Sequence, residues 1–478
     1  MNKTENHDQT PWVLDVTRVA LASKQRERFH EQLKASGLAV AVENLFSGDI
    51  VNPSEHQPAL HMALRSDRSD QWPDESLPTD LSLQRERFLK LADRLHSGAA
   101  GIADLVHIGI GGSDLGPRLL SAALGGSESA VRVHFLSTLD YRALQTLLAS
   151  LDPATTGLLV ASKSFTTEET MLQARAVADW MGEHFIGNSW AATTRADRAQ
   201  AFGFGENSVL EFPAWTGGRF SMWSSVSTSA AATMGRSRFE SLLAGASAAD
   251  SNFHRASLQG CYNQLAHQLA CLIHGLRRDL NLPTLGVVAY DPRLTLLGDY
   301  LQQLLMESLG KRVDFFDRPV EAPTAPLVFS GRGTDAQHAM FQAFHQGTDA
   351  HPLILVGTLN DPSVDPEWQR TQLAHLLGQA EALAHGVRSE RACKELPGGR
   401  PVSLLMTETL TPWGLGYLLA SFEHAVFVLA VLWGINPFDQ WGVEEGKRLA
   451  RAFKKQLETR SFGLDDIATA AQFLKESE

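Results

Sequence analysis

A hydroxyl-rich stretch between an apolar run and a helix-like segment has the chemistry of an anion site. Residues Ser162 to Thr170 read Ser-Lys-Ser-Phe-Thr-Thr-Glu-Glu-Thr and follow the apolar run Leu158 to Ala161. Several hydroxyls and the ammonium of Lys163 suit a phosphate monoester, especially where a helix begins and offers free backbone N–H groups. Thr166 and Glu169 predict a capping box at that helix start. Taken alone, the pattern also fits helix-capping hydroxyls beside a solvated lysine.

A glycine-rich loop, Gly109 to Pro117, follows the apolar run Leu105 to Ile110. Glycines directly after a strand allow the backbone to approach a ligand closely, and Ser113 adds a hydroxyl that could meet a phosphate. The loop lacks the dinucleotide fingerprint because Asp114 stands where its third glycine is required, and no Gly-Lys-Ser/Thr follows to make a P-loop. A nicotinamide dehydrogenase is therefore disfavoured.

Two charged residues could act on a sugar or carbonyl substrate. Arg219 follows two glycines in the stretch Gly217 to Trp223, where a turn would present a permanently charged guanidinium to a developing oxyanion. Glu307 lies near the end of a helix predicted over Leu296 to Gly310, and Gln303 lies one turn earlier on the same face. Glu307 is a candidate general base. Both residues would also be unremarkable at the surface.

The remaining candidates lie near helix ends in the second half of the chain. His345 is in the last turn of a helix predicted over Asp335 to Gly347, where the helix dipole favours the protonated imidazole. A closing helix is predicted to carry Gln440 and Lys447 on one face, because they are seven residues apart. The histidines form no His-Glu-x-x-His motif and the three cysteines no Cys-x-x-Cys motif, so we predict neither a metal site nor a disulfide framework.

The candidate loops must be positioned by an alternation of short apolar runs and helix-like stretches. This alternation predicts parallel sheets covered by helices, with ligands at the carboxyl ends of the strands. The predicted strands are Leu105–Ile110, Val133–Leu136, Leu158–Ala161, Leu285–Tyr290, Arg312–Phe316, Pro326–Phe329 and His351–Val356. Up to about residue 100 the sequence is polar and helix-like, and we expect no strand there.

The composition excludes several classes of protein. The chain has 478 residues, of which 44% are hydrophobic and 20% charged, and this indicates a folded protein with more than one domain. Its net charge of -12 argues against a general binder of nucleic acid or anionic membranes. The apolar stretch Leu415 to Ile435 contains Glu423 and His424, which favours a buried helix over a membrane span. No secretory signal is visible near the start, and a cytoplasmic protein is expected.

Several of these stretches, taken together and in this order, resemble the glucose-6-phosphate isomerase (phosphoglucose isomerase) family. The similarity runs from about Val106 to Lys447. Its most specific pieces are Gly109–Pro117, Ser162–Thr170, Gly217–Trp223, Met306-Glu-Ser with Gly310-Lys311, Gln337-His338 with His345-Gln-Gly-Thr348, and Pro437–Lys447. A chance match of so many motifs in one order is far rarer than a match of any single motif.

The resemblance implies an α/β fold with two three-layer αβα sandwich domains of the sugar-isomerase (SIS) type, each with a parallel-sheet core. We expect a smaller first domain at residues 101–245 and a larger second domain at 246–440. An N-terminal helical segment at 1–100 and a C-terminal helix and tail at 441–478 would flank them. The family works as a homodimer with each active site between subunits, and it needs no cofactor or metal.

The implied reaction interconverts glucose 6-phosphate and fructose 6-phosphate in glycolysis and gluconeogenesis, by ring opening and proton transfer between C1 and C2 through a cis-enediol. The residues that would hold the substrate are Gly112, Ser113, Ser162, Lys163, Ser164, Thr167, Gln303 and Gln440. Glu307 would move the proton, and Arg219 would stabilise the enediolate. His345, supplied by the neighbouring subunit, and Lys447 would assist ring opening.

The sequence departs from the usual family pattern at several positions. The departures are Leu304-Leu305 in place of Gly-Asp, Leu309 in place of Asn, Ser164 in place of Thr, and Asp335-Ala336 in place of Asn-Gly. Because Leu304, Leu305 and Leu309 flank Glu307, we expect them to bear on rate and substrate preference rather than on the class of reaction.

Two other functions fit parts of the pattern. A sugar-phosphate-binding regulator built on the same domains would keep the phosphate loops but would not need Glu307, His345 and Lys447, and the presence of all three favours an enzyme. A glutamine-dependent isomerising transferase would need a catalytic cysteine near its N-terminus, and none precedes Cys261.

Overall fold

The computed structural model describes residues 10–21, 23–66, 77–459 and 463–469. By its internal contacts the chain divides into a large unit that ends at Pro437 and a C-terminal unit that begins at Phe438. The domain limits predicted from the sequence remain predictions.

The strands all belong to the large unit. They are β1 (Trp12–Asp15), β2 (Asp104–Ile108), β3 (Arg132–Leu136), β4 (Thr156–Ala161), β5 (Ser189–Thr193), β6 (Val209–Glu211), β7 (Thr284–Ala289), β8 (Leu327–Arg332), β9 (Leu353–Thr358) and β10 (Val402–Thr407).

The α-helices of the large unit precede residue 434, and one further α-helix belongs to the C-terminal unit. They are α1 (Ser23–Ala35), α2 (Leu38–Ser47), α3 (Leu77–His96), α4 (Leu115–Leu124), α5 (Tyr141–Ala149), α6 (Glu168–Met181), α7 (Phe185–Asn188), α8 (Ala196–Phe202), α9 (Thr228–Met234), α10 (Arg236–Leu258), α11 (Leu265–His274), α12 (Leu297–Leu309), α13 (Gly333–Gln337), α14 (Phe341–Gln346), α15 (Pro366–His385), α16 (Pro412–Trp433) and α17 (Glu444–Thr459). Short 3₁₀ segments lie at His61–Arg65, Gly111–Ser113, Gly182–His184, Glu206–Ser208, Gly218–Trp223, Ser225–Ser227, Pro292–Leu294, Ala392–Lys394, Trp441–Val443 and Leu464–Thr469, and a π-helical turn at Gly275–Asp279.

The strands form two sheets whose parallel strands follow the same order. The first sheet has the order β3-β2-β4-β5-β6, and all its pairs are parallel. The second has the order β1-β10-β9-β7-β8, in which only the pair β1–β10 is antiparallel. In each sheet the first parallel strand lies between the second and the third. The predicted α/β class with two parallel-sheet cores is confirmed.

The central strands are recognisable in the sequence because they are buried along their whole length. Every residue of β4 and of β9 is buried, as expected for parallel strands covered on both faces. Around β2 and β4 the core includes Val106, Leu158 and Val177. Around β9 it includes Leu355 and Leu376.

Two predictions about strands were wrong. Arg312–Phe316 is not a strand, because the Asp314 carboxylate accepts hydrogen bonds from the backbone N–H groups of Phe316 and Arg318 and so turns the chain. The N-terminal region does contain a strand, β1, which pairs with β10 nearly four hundred residues later. At four residues, β1 is too short for its periodicity to be noticed.

Helix α16 confirms the buried helix expected from its composition. It is long and apolar enough to cross a membrane, yet nearly all of it is buried inside the protein. It packs closely on α10, since a Cβ on Gly245 would lie 1.9 Å from the carbonyl oxygen of Trp413, and one on Gly416 would lie 1.9 Å from that of Leu242. These glycines permit the close helix contact that buries the polar residues of α16.

Candidate active site

The hydroxyl-rich loop joins β4 to α6, at the carboxyl end of a strand as predicted. Ser162 is buried, and its Oγ accepts a hydrogen bond from the backbone N–H of Phe165 at 3.1 Å. The predicted capping box is wrong: α6 begins at Glu168, and its N-cap is Thr167 rather than Thr166. The Thr167 side chain makes no capping bond, and the Thr166 hydroxyl donates instead to Ser164 Oγ at 2.8 Å.

Lys163 is the charged member of this loop. Its side chain is partly buried, and its carbonyl oxygen accepts hydrogen bonds from the hydroxyls of Thr193 and Thr194 at 3.2 and 2.9 Å. Burial lowers the pKa of the Lys163 ammonium; the charge of Glu55 opposes this shift and that of Arg219 adds to it. Among the described residues none forms an ion pair with Lys163. The ammonium is therefore available to an anionic ligand.

The glycine-rich loop and the arginine turn touch through their backbones. A Cβ on Gly112 would lie 2.0 Å from the carbonyl oxygen of Gly218 and 2.6 Å from the backbone nitrogen of Arg219. On the other side of the loop, a Cβ on Gly111 would lie 2.8 Å from Nε2 of Gln303. Only glycines allow the loop to fit between these two partners.

This contact makes Gly112 a sensitive position. Gly112→Ala is expected to lower the free energy of unfolding by about 1–3 kcal/mol, the usual cost of overpacking, because the turn that carries Arg219 must move. Urea unfolding of both proteins measures the effect. Gly218→Ala is the matched control, since its added Cβ would meet no atom within 4 Å. Equal stability of the two variants would contradict the prediction.

Arg219 is almost fully buried, and its guanidinium is held on three sides. Nε donates to Ser308 Oγ at 2.7 Å, one terminal nitrogen donates to Glu307 Oε2 at 3.2 Å, and the other donates to the carbonyl oxygen of Pro437. A guanidinium fixed in this way is a pre-positioned positive charge, which suits a negative charge that develops during a reaction.

Glu307 lies in the last turn of α12, which ends at Leu309 before Gly310 as predicted. Its side chain is 29% exposed, and Oε2 accepts hydrogen bonds from both Arg219 and Gln303, each at 3.2 Å. Within the described part of the chain no hydrogen bond reaches Oε1. Glu307 thus has one oxygen fixed and the other open to a substrate proton.

Ser113 is held in place by a histidine that the sequence did not single out. The fully buried ring of His107 contacts the Ser113 carbonyl oxygen through Nε2 and Ser229 Oγ through Nδ1, both at 2.8 Å. A carbonyl can only accept, so Nε2 carries a proton. Burial lowers the pKa of the ring and so favours its neutral form, in which Nδ1 accepts from the Ser229 hydroxyl. His107 is therefore neutral and ties the glycine-rich loop to α9.

The neutral state of His107 predicts a pH dependence of stability. Burial lowers its pKa from the usual 6.5 to about 4. The unfolded chain therefore binds one more proton between these values, and stability present above pH 6.5 is lost as the pH falls towards 4, by an amount on the order of 3 kcal/mol. Urea unfolding from pH 4.5 to 7.5 should show the difference between wild type and His107→Gln shrinking as the pH falls. A constant difference would contradict this. His385→Gln, on the exposed face of α15, is the control.

His345, one of the predicted residues of the large unit, makes its hydrogen bond away from this group. His345 lies in α14, and its Nε2 contacts Gln379 Oε1 at 2.8 Å rather than any candidate-site residue. The helix predicted over Asp335–Gly347 is interrupted, since α13 ends at Gln337 and α14 begins at Phe341.

Gln440 and Lys447 belong to the C-terminal unit. The prediction that one helix carries both was wrong, because α17 begins at Glu444 and Gln440 precedes the 3₁₀ turn before it. Lys447 Nζ donates to Glu444 Oε1 at 2.7 Å.

The leucines that flank Glu307 are fully buried. Leu304, Leu305 and Leu309 are each 0% exposed and belong to the core side of α12. These leucines therefore contribute to the packing of α12 on the core, while the Glu307 side chain is partly exposed.

Besides His107, sequence reasoning missed two neighbours of the candidate group. Ser308 holds Arg219, and it stands directly beside Glu307 in a stretch that had been noted without a role. Glu55 influences Lys163 from a loop in the first sixty residues, where no sequence signal marked it.

Neither a cysteine nor a metal cluster contributes to this group. All three cysteines are free. The described residues contain no set of three or more His, Cys, Asp and Glu side chains arranged to hold a metal ion.

The fold and the site together define an α/β protein with a hydroxyl-rich loop that carries Lys163, a guanidinium held in place at Arg219, and a Glu307 carboxylate with one oxygen open. This arrangement is suited to acid–base chemistry on a phosphorylated substrate. The model of the phosphoglucose isomerase family matches residues 15–471. The chain is 41% identical over 440 residues to a glucose-6-phosphate isomerase of Stenotrophomonas maltophilia, covering 90% of this chain and 85% of the relative. It is also 41% identical to one from Xylella fastidiosa, covering 91% of this chain and 86% of the relative.

A solved structure agrees with these relatives. The crystal structure of a glucose-6-phosphate isomerase from Chlamydia trachomatis superposes with a TM-score of 0.84 at 28% identity, covering 98% of this chain and 92% of that one. The chain belongs to the phosphoglucose isomerase family.

Proposed function

We propose that the protein interconverts glucose 6-phosphate and fructose 6-phosphate, without a cofactor, as an aldose–ketose isomerase of glycolysis and gluconeogenesis. The observation that carries the proposal is the pair formed by Arg219 and Glu307, 3.2 Å apart and next to the glycine-rich loop. Isomerisation next to a carbonyl needs one base and a fixed positive charge, and this pair supplies both.

The phosphate of the substrate would bind in the loop after β4. Ser162, Ser164 and Thr167 would donate hydroxyl hydrogen bonds, Lys163 would supply charge, and Ser113 would donate from the neighbouring loop. β2 and β4 are adjacent parallel strands, so the loops that follow them leave the same edge of the sheet. This common edge supports a shared anion site.

The proton transfer would use the open oxygen of Glu307. In the open-chain aldose, Glu307 removes the proton on C2, the electron pair forms the C1–C2 double bond, and the carbonyl oxygen becomes an enediolate oxygen. Arg219 stabilises that negative charge. Glu307 then returns its proton to C1 while a proton moves from O2 to O1, and the ketose results. Gln303, which also bonds Glu307, and Gly112 would border the sugar.

Ring opening and the remaining sugar contacts would need residues outside this group. We assign ring opening to His345 from a neighbouring subunit and to Lys447, and a contact with the sugar to Gln440. The contacts of His345 within its own chain support this, because they are directed to Gln379 rather than to Glu307. A homodimer with shared active sites follows from the assignment, and free cysteines accord with a cytoplasmic enzyme.

The reaction is tested by a coupled assay from fructose 6-phosphate to glucose 6-phosphate, with EDTA present during the isomerase step. Sustained turnover supports a metal-independent isomerase. A folded protein that is stabilised against heat by either sugar phosphate but shows no turnover would instead be a sugar-phosphate-binding regulator.

Shared active sites are tested by co-expressing the inactive variants Glu307→Gln and His345→Ala. Random dimerisation gives half hybrids with one intact site each, so activity should return to about a quarter of wild type. If His345 acts within its own chain, mixing restores nothing.

A further inference from the structure

A buried polar cluster lies behind the candidate active site, and the proposed reaction does not use it. Its members come from five helical segments and are each less than 9% exposed: Arg65, Trp223, Asp250, Tyr300, Glu423 and His424. Burying a charge costs free energy unless the charge is paired, so the charged members of this cluster are expected to contact one another.

Arg65 is the positive centre of the cluster. Its Nε and one terminal nitrogen donate to the two oxygens of Asp250 at 2.8 and 2.6 Å, and the other terminal nitrogen donates to Glu423 Oε2. The guanidinium carbon also lies 4.5 Å from the centroid of the Trp223 ring. Each nitrogen of this guanidinium thus donates a hydrogen bond to a carboxylate, and one oxygen of Glu423 is held by Arg65.

The second oxygen of Glu423 joins the two elements that carry the catalytic pair. Oε1 accepts a hydrogen bond from Trp223 Nε1 at 2.9 Å and a longer one from the Tyr300 hydroxyl at 3.5 Å. Trp223 ends the 3₁₀ segment that contains Arg219, and Tyr300 lies in α12, two turns before Glu307. One oxygen therefore links the arginine segment to the glutamate helix.

We propose that Glu423 is a positioning residue for the isomerase reaction, which fixes the arginine segment against α12 and so sets the geometry between Arg219 and Glu307. The inference rests on the function proposed above. Glu423 touches no substrate in this view. Its effect on rate comes from geometry, because misplacing a catalytic group by about 1 Å can cost about a hundredfold in rate.

Each link can be broken separately, and both substitutions keep an aromatic ring at the position. Trp223→Phe removes the donor to Oε1 from the arginine segment, and Tyr300→Phe removes only a hydroxyl from α12. Asp250→Asn is the matched control, because it weakens the same cluster while Arg65, Glu423 and both links remain. Steady-state kinetics and thermal unfolding are measured for all three variants.

For Trp223→Phe we expect kcat to fall by about tenfold with KM within about twofold of wild type, since the phosphate loops are untouched. Asp250→Asn should lower the melting temperature and leave kcat unchanged. If Trp223→Phe and Asp250→Asn both lower stability and both keep wild-type kcat, Glu423 is only structural and the proposal is overturned.

If Trp223→Phe does not fold, Tyr300→Phe tests whether Glu423 positions the catalytic pair. A fall in kcat of about threefold or more at unchanged KM supports the proposal, and a wild-type kcat overturns it. An inactive wild-type protein would instead count against the proposed function. Failure of the proposed function is thus distinguishable from failure of the positioning role of Glu423.

Discussion

Replacing Glu307 by glutamine is expected to lower kcat by about a hundred- to ten-thousandfold while KM changes little. The amide keeps the size of the side chain and can still accept from Arg219 and Gln303, but it cannot take the substrate proton. The coupled assay gives kcat and KM. Heat protection by fructose 6-phosphate reports binding independently of turnover and should be retained.

Glu367→Gln makes the same chemical change at an exposed position in the first turn of α15, and wild-type kinetics are expected for it. Near-normal turnover by Glu307→Gln would remove this residue from the proposed role. Loss of both turnover and heat protection would assign it to binding instead.

Replacing Arg219 by lysine is expected to lower kcat by about a hundred- to a thousandfold, the usual range for loss of a group that stabilises an oxyanion. The charge is kept, but one ammonium cannot reach Ser308, Glu307 and Pro437 together as the guanidinium does. The free energy of unfolding should also fall, by about 1–3 kcal/mol, because buried acceptors lose their donor. Steady-state kinetics and urea unfolding measure the two effects.

The control for this change is Arg195→Lys. Arg195 pairs with Asp197 at the surface, and its substitution should alter neither rate nor stability measurably. If Arg219→Lys keeps kcat within about threefold of wild type, charge alone is sufficient and the argument from geometry is wrong.

The sequence predicted the elements that are buried along their whole length. β4 and β9 have this property, α16 is buried at all but a few positions near its ends, and their composition alone distinguishes them from loops. The strand predicted around Asp314 was wrong because the apolar residues of this segment lie in a turn that the Asp314 carboxylate closes. The short strand β1 was missed because its partner is distant in the chain.

The candidate site was predictable where its residues are close in sequence. Gln303 and Glu307 are one helical turn apart, and their hydrogen bond follows from that spacing. The contacts of Arg219 with Ser308 and Pro437 span 89 and 218 residues, and no local pattern encodes them. The roles of these residues came from family resemblance and remain predictions until the variants are measured.

The pairing of β1 with β10 fixes an order of events during protein synthesis. Trp12 donates a hydrogen bond to the carbonyl oxygen of Gly414, and the Thr407 hydroxyl donates to that of Pro11, each at 2.8 Å. β1 thus has no partner until β10, nearly four hundred residues later, has been translated. The edge of the second sheet at β10 is therefore closed by a segment that was translated long before its partner.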